Sequence, residues 1–104
     1  MPLDGSSFQI ESPVTQMLSY GRRRIELGWC QQSMRLRGSV CIIGSLPVDD
    51  FQTFTRAEGF ILDAIDALGY SHRSVPEFND DVGRTKGEIL EVFNAAIALS
   101  KTSF

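Results

Sequence analysis

The sequence predicts a mainly α fold: a small bundle of three amphipathic helices, with an elaborated loop (a short helix or a hairpin) between the first and the second. Three observations predict it. Apolar residues recur at helical spacing in three separate segments, and each segment opens on a residue suited to capping a helix. The chain has 104 residues, enough for one compact domain and too few for two. Apolar residues make up 42% and charged residues 22%, ordinary globular usage that excludes disorder of the whole chain.

Residues 1–12 are rich in Ser, Gly and Pro without periodicity and read as a flexible N-terminal arm, leaving 13–104 as a single helical domain. Ser12-Pro13 is a helix start, with Ser at the N-cap and Pro at the first helical position. Val14, Met17, Leu18, Gly21 and Ile25 then fall within a stripe about 100° wide, and Gly28 supplies the stop. In the following connection, Met34 to Leu36 and Ser39 to Ile43 read either as a hairpin turning at Arg37-Gly38 or as a loop with a short helix from Ser39. A two-stranded hairpin alone is marginal and no third strand is visible, so loop plus short helix is the preferred reading. Asp49-Asp50 opens a helix from Phe51 to Leu68, with Phe51, Phe54, Ala57, Ile61, Ala64, Ile65 and Leu68 on one face. Tyr70 to Gly83 reads as a loop with one helical turn after Ser74. Thr85 and Glu88 match a capping box before a last helix that buries Ile89, Leu90, Val92, Phe93, Ala96 and Ile97 and ends near Leu99.

Charge is divided along the chain. In residues 1–37, Arg22, Arg23, Arg24, Arg35 and Arg37 outnumber Asp4, Glu11 and Glu26, whereas residues 49–104 carry an acidic excess, and the net charge is −3. That total argues against general nucleic-acid binding, although the arginines could contact a few phosphates. The division suits a charged partner surface, and it suits self-association equally. No segment has the roughly 20 apolar residues of a membrane span. No export signal is visible and two cysteines make no disulfide framework, so a cytoplasmic protein with reduced thiols is expected.

Cys30 is the first candidate for chemistry. It follows Gly28-Trp29, and His72 and Asn79 lie downstream in the order used by papain-like thiol enzymes, where the imidazole deprotonates the thiol and the third residue orients it. None of the local papain signature surrounds Cys30, and a small buried hydrophobe is the ordinary fate of a free cysteine. Cys30, Cys41 and His72 lack the close ligand pairs of structural zinc sites, so no metal is expected. Glu77-Phe78-Asn79-Asp80-Asp81 resembles part of a calcium loop, but its spacing departs from the motif; Asn79 and Asp80 read more simply as caps of the turn into the last helix. The Gly83-Arg84-Thr85-Lys86-Gly87 segment lacks the P-loop order, and no cofactor motif is present. Glu58 lies near the apolar face of the second helix, either paired with an arginine or lining an interface. Trp29 reads as a core residue or as the anchor of a binding surface.

Taken together, Gly28-Trp29-Cys30-Gln31, Cys41-Ile42-Ile43-Gly44-Ser45-Leu46, Phe78-Asn79-Asp80 and Arg84-Thr85 with Glu88-Ile89-Leu90 resemble a family of small bacterial and phage proteins with the pattern GWCQ, C-x-x-G-A-L, W-N-D and R-T-x-x-E. Phe78 stands where that pattern has Trp, and Ser45 where it has Ala. The family has no assigned activity, and His72 is outside its pattern. The resemblance implies that Trp29, Cys30, Cys41, Gly44, Asn79, Asp80, Arg84, Thr85 and Glu88 form one packed cluster, with Asn79 and Asp80 holding the start of the last helix against the turn at Gly28-Trp29.

The expected function is a non-enzymatic protein-binding module, a phage- or mobile-element-encoded modulator or inhibitor of a host protein complex. The candidate binding residues are Trp29, Arg22, Arg23, Glu58, Phe60, Asp80 and Arg84. The alternative is a thiol-dependent enzyme using Cys30 with His72 and Asn79. A homodimer is also expected, because Phe60 and Leu62 lie on opposite edges of the second helix's apolar face and three helices do not easily cover both.

Overall fold

The computed structural model describes residues 11–71 and 74–102. It is mainly helical, in the order α1 (Pro13–Leu27), β1 (Arg35–Leu36), β2 (Ser39–Val40), α2 (Ile42–Ser45), α3 (Phe51–Ala67), α4 (Val75–Asp80) and α5 (Lys86–Thr102). The described residues thus form five helices, three long and two short. Of the short ones, α2 follows the hairpin in the connection where a short helix is the preferred reading, and α4 develops the single turn read after Ser74 into six residues.

The three long helices begin as their capping residues dictate. Ser12 Oγ accepts from the Thr15 N–H at 3.2 Å. Asp50 Oδ1 accepts from the Gln52 N–H at 3.1 Å, and its other oxygen accepts from the Thr53 hydroxyl at 2.6 Å. Those bonds, the Thr53 hydroxyl above all, hold the Asp50 carboxyl below its ordinary pKa. Thr85 and Glu88 close a reciprocal capping box, with Glu88 Oε1 accepting from the Thr85 N–H at 2.9 Å and Thr85 Oγ1 accepting from the Glu88 N–H at 3.1 Å.

Helices α1, α3 and α5 each pack against the other two. Their shared interior holds Leu18 and Ile25 from α1, Ile61 and Ile65 from α3, and Ile89 and Phe93 from α5, all fully buried. A hydroxyl chain, buried at Thr15 and Ser100, links the start of α1 to the end of α5: Ser12 donates to Thr15 Oγ1, Thr15 meets Ser100 Oγ at 2.7 Å, and Ser100 donates to the Ile97 carbonyl. Of the expected arm, Glu11 and Ser12 are tied to the helices, Glu11 by an ion pair with Lys101 at 3.2 Å; residues 1–10 lie outside the described residues.

Two features differ from expectation. Phe51 and Leu68 share the apolar face expected of the second long helix, yet Phe51 is 75% exposed and Leu68 is on the surface. Helical side chains lean toward the N-terminus, so the first residue of α3 overhangs its own helix end, while Leu68 lies beyond the last turn as the C-cap. The connection after α1 holds both alternatives, a hairpin and a short helix, with the helix capped at Cys41 rather than starting at Ser39. The hairpin pairs Arg35 with Val40 and Leu36 with Ser39 through Arg37 (φ 51°) and Gly38 (φ 85°), both left-handed, as a two-residue hairpin turn requires. It is not left unsupported. The Val40 N–H donates to the Gly28 carbonyl at 2.9 Å, and the Cys30 N–H donates to the Val40 carbonyl at 3.0 Å. The segment after α1 is therefore a third extended strand-like partner, bridged in parallel at Trp29 and Val40.

Among the described residues, no helix is long and apolar enough to cross a membrane.

Candidate functional site

Helix α4 begins where Ser74 Oγ accepts from the Glu77 N–H at 3.2 Å. This short helix carries Phe78 and Asn79, both fully buried, to the loop that follows α1. Asn79 has two side-chain N–H donors and two acceptor lone pairs, and all four are used. Its Oδ1 accepts from the Trp29 indole N–H at 2.9 Å and from the Ile42 backbone N–H at 3.1 Å. Its Nδ2 donates to the Cys30 carbonyl at 3.1 Å and to Asp80 Oδ1 at 2.9 Å. One side chain thereby joins α4 to the α1–β1 loop and to the first turn of α2.

The neighbouring residues extend this junction. Asp80 Oδ1 also accepts from the Gln32 N–H at 2.7 Å, which holds Gln32 in its left-handed conformation (φ 63°). Gln31 Nε2 donates to the carbonyls of Asn79 and Asp81 at 3.0 and 2.9 Å. Asn79 and Asp80 thus do not cap the turn into the last helix, as the local sequence suggested; they bond the loop after α1, where the nearest buried donors lie. Gly44 belongs to the same junction, because a Cβ there would run into the Met34 carbonyl. That carbonyl already accepts from the Cys41 N–H at 3.1 Å.

Arg84 fastens the other side of α4. Its guanidinium carbon lies 3.8 Å from the centre of the Phe78 ring and 4.9 Å from that of Tyr70. Its Nε donates to the Phe78 carbonyl at 3.0 Å, and its terminal nitrogens reach Asp81 at 2.7 Å and Glu88 at 3.4 Å. The Thr85 N–H, and then the Arg84 charge, hold the Glu88 carboxyl below its ordinary pKa despite some desolvation. Tyr70 donates to Glu91 at 2.9 Å, and that bond, with desolvation and the Glu91 and Glu88 charges, raises the phenol pKa.

Cys30 and Cys41 are both free thiols. The Cys30 thiol donates to the Ser33 carbonyl at 3.3 Å, while Cys41 Sγ accepts from the Gly44 N–H and caps α2. Burial, followed by the Cys41 and Asp80 charges, pushes the Cys30 thiol above its ordinary pKa, which lowers the thiolate fraction at neutral pH. His72, the base of the thiol-enzyme reading, lies outside the described residues. Among the described residues, no group of three or more His, Cys, Asp or Glu side chains is arranged to hold a metal ion.

The other candidate residues are dispersed. Arg22 donates to Asn94 at 2.7 Å and pairs with Glu26 at 3.3 Å, Arg23 is exposed, and Arg24 reaches the Gly44 carbonyl at 3.3 Å. Glu58 is half-buried and forms no ion pair among the described residues. Phe60 and Leu62 rest half-buried against the core. The junction therefore unites Trp29, Cys30, Asn79, Asp80 and Arg84, but not Arg22, Arg23, Glu58 or Phe60. Sequence reasoning missed Gln31, the Ile42 N–H and the stacking role of Phe78; the implied proximity of Trp29 to Asn79 was the signal that pointed there.

Sequence reasoning also missed a second place, at the start of α3. A groove of about 270 Å³ runs between α1 and the chain entering α3, lined by Met17, Tyr20, Pro47, Asp49 and Asp50 among others. Tyr20 on its lining is 52% exposed, and Val48 and Phe51, chain neighbours of the lining residues Asp49 and Asp50, are exposed as well, Phe51 at 75%.

A model of a family of unknown function, DUF6197, matches residues 10–99. No curated protein and no solved structure matches the chain.

Proposed function

The chain belongs to the DUF6197 family, a family of unknown function, and as that membership assigns no activity, we propose from the geometry that the protein is a non-catalytic protein-binding module that engages its partner through the Tyr20–Phe51 face. The observation that carries this reading is an open groove whose lining includes the exposed Tyr20, with the exposed Val48 and Phe51 in the same stretch of chain as its lining residues Pro47, Asp49 and Asp50. Large apolar side chains grouped on a surface are the usual mark of an interface, and aromatic anchors contribute most there. The exposed carboxylate of Asp49 on the rim favours a partner that offers an apolar side chain flanked by a basic one.

The polar centre supports the same reading. The side-chain hydrogen-bonding groups of Asn79 are all occupied by the fold, and the Cys30 thiol is a hydrogen-bond donor with a raised pKa, so the thiol-enzyme alternative receives less support. Two free thiols suit a reducing cytoplasm. Small size and the resemblance to phage-encoded sequences support a modulator that acts by occupying a host protein's surface. Self-association through α3 is part of the proposal.

Affinity capture with wild type, Phe51→Asp and Tyr20→Ala tests the partner face. Loss of a specific captured protein by both variants, with unchanged circular dichroism and melting, supports it. A captured set indifferent to both substitutions overturns it.

A further inference from the structure

The outer side of α3 carries Arg56, Gly59, Phe60 and Asp63 at successive helical spacings, bordering a shallow depression of about 320 Å³. Gly59 stands in the middle of a long helix, where glycine is less favourable than alanine. Nothing among the described residues calls for it: a Cβ there would meet no atom within 4 Å, and its φ is not left-handed. Arg56 and Asp63 are both exposed, and neither has an ion-pair or hydrogen-bond partner among the described residues. The face thus presents a half-buried aromatic ring, a gap beside it, and one unpaired charge of each sign at equal distances above and below.

We infer that this face is a self-complementary dimer interface, in which a second copy of the chain lays its own α3 antiparallel across the first, about a two-fold axis passing between Gly59 and Phe60. The inference rests on the self-association proposed above and fixes its geometry. A two-fold operation that sets Phe60 over the partner's Gly59 also sets Arg56 against the partner's Asp63, and each contact occurs twice, as an isologous interface demands. The missing Cβ at Gly59 gives the opposing ring its space. Charge decides the direction. Parallel pairing about a two-fold axis would place Arg56 on Arg56 and Asp63 on Asp63, whereas antiparallel pairing joins opposite charges and opposes the helix dipoles head to tail.

Sedimentation equilibrium of four proteins tests this: wild type, Arg56→Asp, Asp63→Arg and the double exchange. Wild type is expected to be dimeric at tens of micromolar. Each single exchange replaces two attractive pairs with two repulsive ones and weakens the dimer by roughly tenfold or more. The double exchange restores opposite charges and brings the association constant back to within a few-fold of wild type. Both substituted positions lie on the surface, and thermal melts monitored by circular dichroism confirm that each variant is folded. A dimeric wild type whose single variants dimerise equally well, or whose double variant is not restored, overturns this face and leaves self-association standing. A wild type that stays monomeric overturns both, and leaves partner binding through Tyr20 and Phe51 as a separate question.

Discussion

Replacing Asn79 with alanine is expected to damage the fold far more than its single amide suggests. The substitution removes four hydrogen bonds at once. The Ile42 N–H belongs to a fully buried residue, so it loses its partner with no water to take over, at a cost of about 1–3 kcal/mol. The Trp29 indole N–H and the Cys30 carbonyl belong to half-buried residues, where water recovers part of the loss, so each adds about 0.5 kcal/mol. The bond to Asp80 adds a similar amount. The sum is about 3 kcal/mol, a large share of the roughly 5–15 kcal/mol that holds a small domain together. For a domain of this size it lowers Tm by roughly 12–24 °C. Urea unfolding should be followed by far-ultraviolet circular dichroism and by fluorescence of Trp29, the sole tryptophan, whose indole reports directly on the junction. A loss below about 1 kcal/mol, with Trp29 emission unchanged, would refute the hydrogen-bond accounting.

Three further outcomes are expected. Gly44→Ala should cost about 1–3 kcal/mol or more in urea unfolding, because the added methyl meets the Met34 carbonyl backbone, and an unchanged midpoint would contradict the close approach. The folded-state pKa of Glu88 is depressed, so its contribution is present above the unfolded value of about 4.3 and lost as pH falls through the lower folded value. The difference in Tm between wild type and Glu88→Gln should therefore be full near neutrality and close under acid conditions; a gap that ignores pH counts against the capping box. Iodoacetamide should alkylate Cys30 with a rate that rises only above the ordinary thiol range of about 8.5, and an inflection below that range would revive the thiol-enzyme reading.

The long helices were legible because their determinants are local. Ser12-Pro13, Asp50 and the Thr85–Glu88 box each act within one turn, and the α1 stripe through Val14, Leu18 and Ile25 repeats often enough to be read by spacing alone. The hairpin was ambiguous for the opposite reason. Strands of two residues are too short to show alternation, and the segment that steadies them, Gly28 to Cys30, pairs with Val40 across the chain. The overhang of Phe51 was invisible because spacing gives the direction of a side chain around the helix axis, not whether a neighbour reaches that far along it. The Asn79 junction has no periodic signature at all. Its partners at Trp29, Cys30 and Ile42 lie dozens of residues away, and asparagine followed by two aspartates looks locally like a cap or a cation loop. Only the implied clustering with Trp29 pointed toward it. That hint placed Asn79 and Asp80 against the right turn, while the bonds to Gln31, Gln32 and Ile42 emerged from the fold.

The buried polar centre is occupied by structure, and the proposed function therefore rests on the surface. Hydrogen exchange of the Asn79 side-chain amide, followed by nuclear magnetic resonance on the native protein, tests this most directly. With both Nδ2 protons donated inside a buried junction, they should exchange only through large-scale opening, with protection approaching the free energy of global unfolding. The exposed amide of Asn94 on α5 supplies the internal reference and should exchange orders of magnitude faster. Matching fast rates at Asn79 and Asn94 would contradict the account, because they would show an Asn79 amide free to meet water and, with it, a substrate.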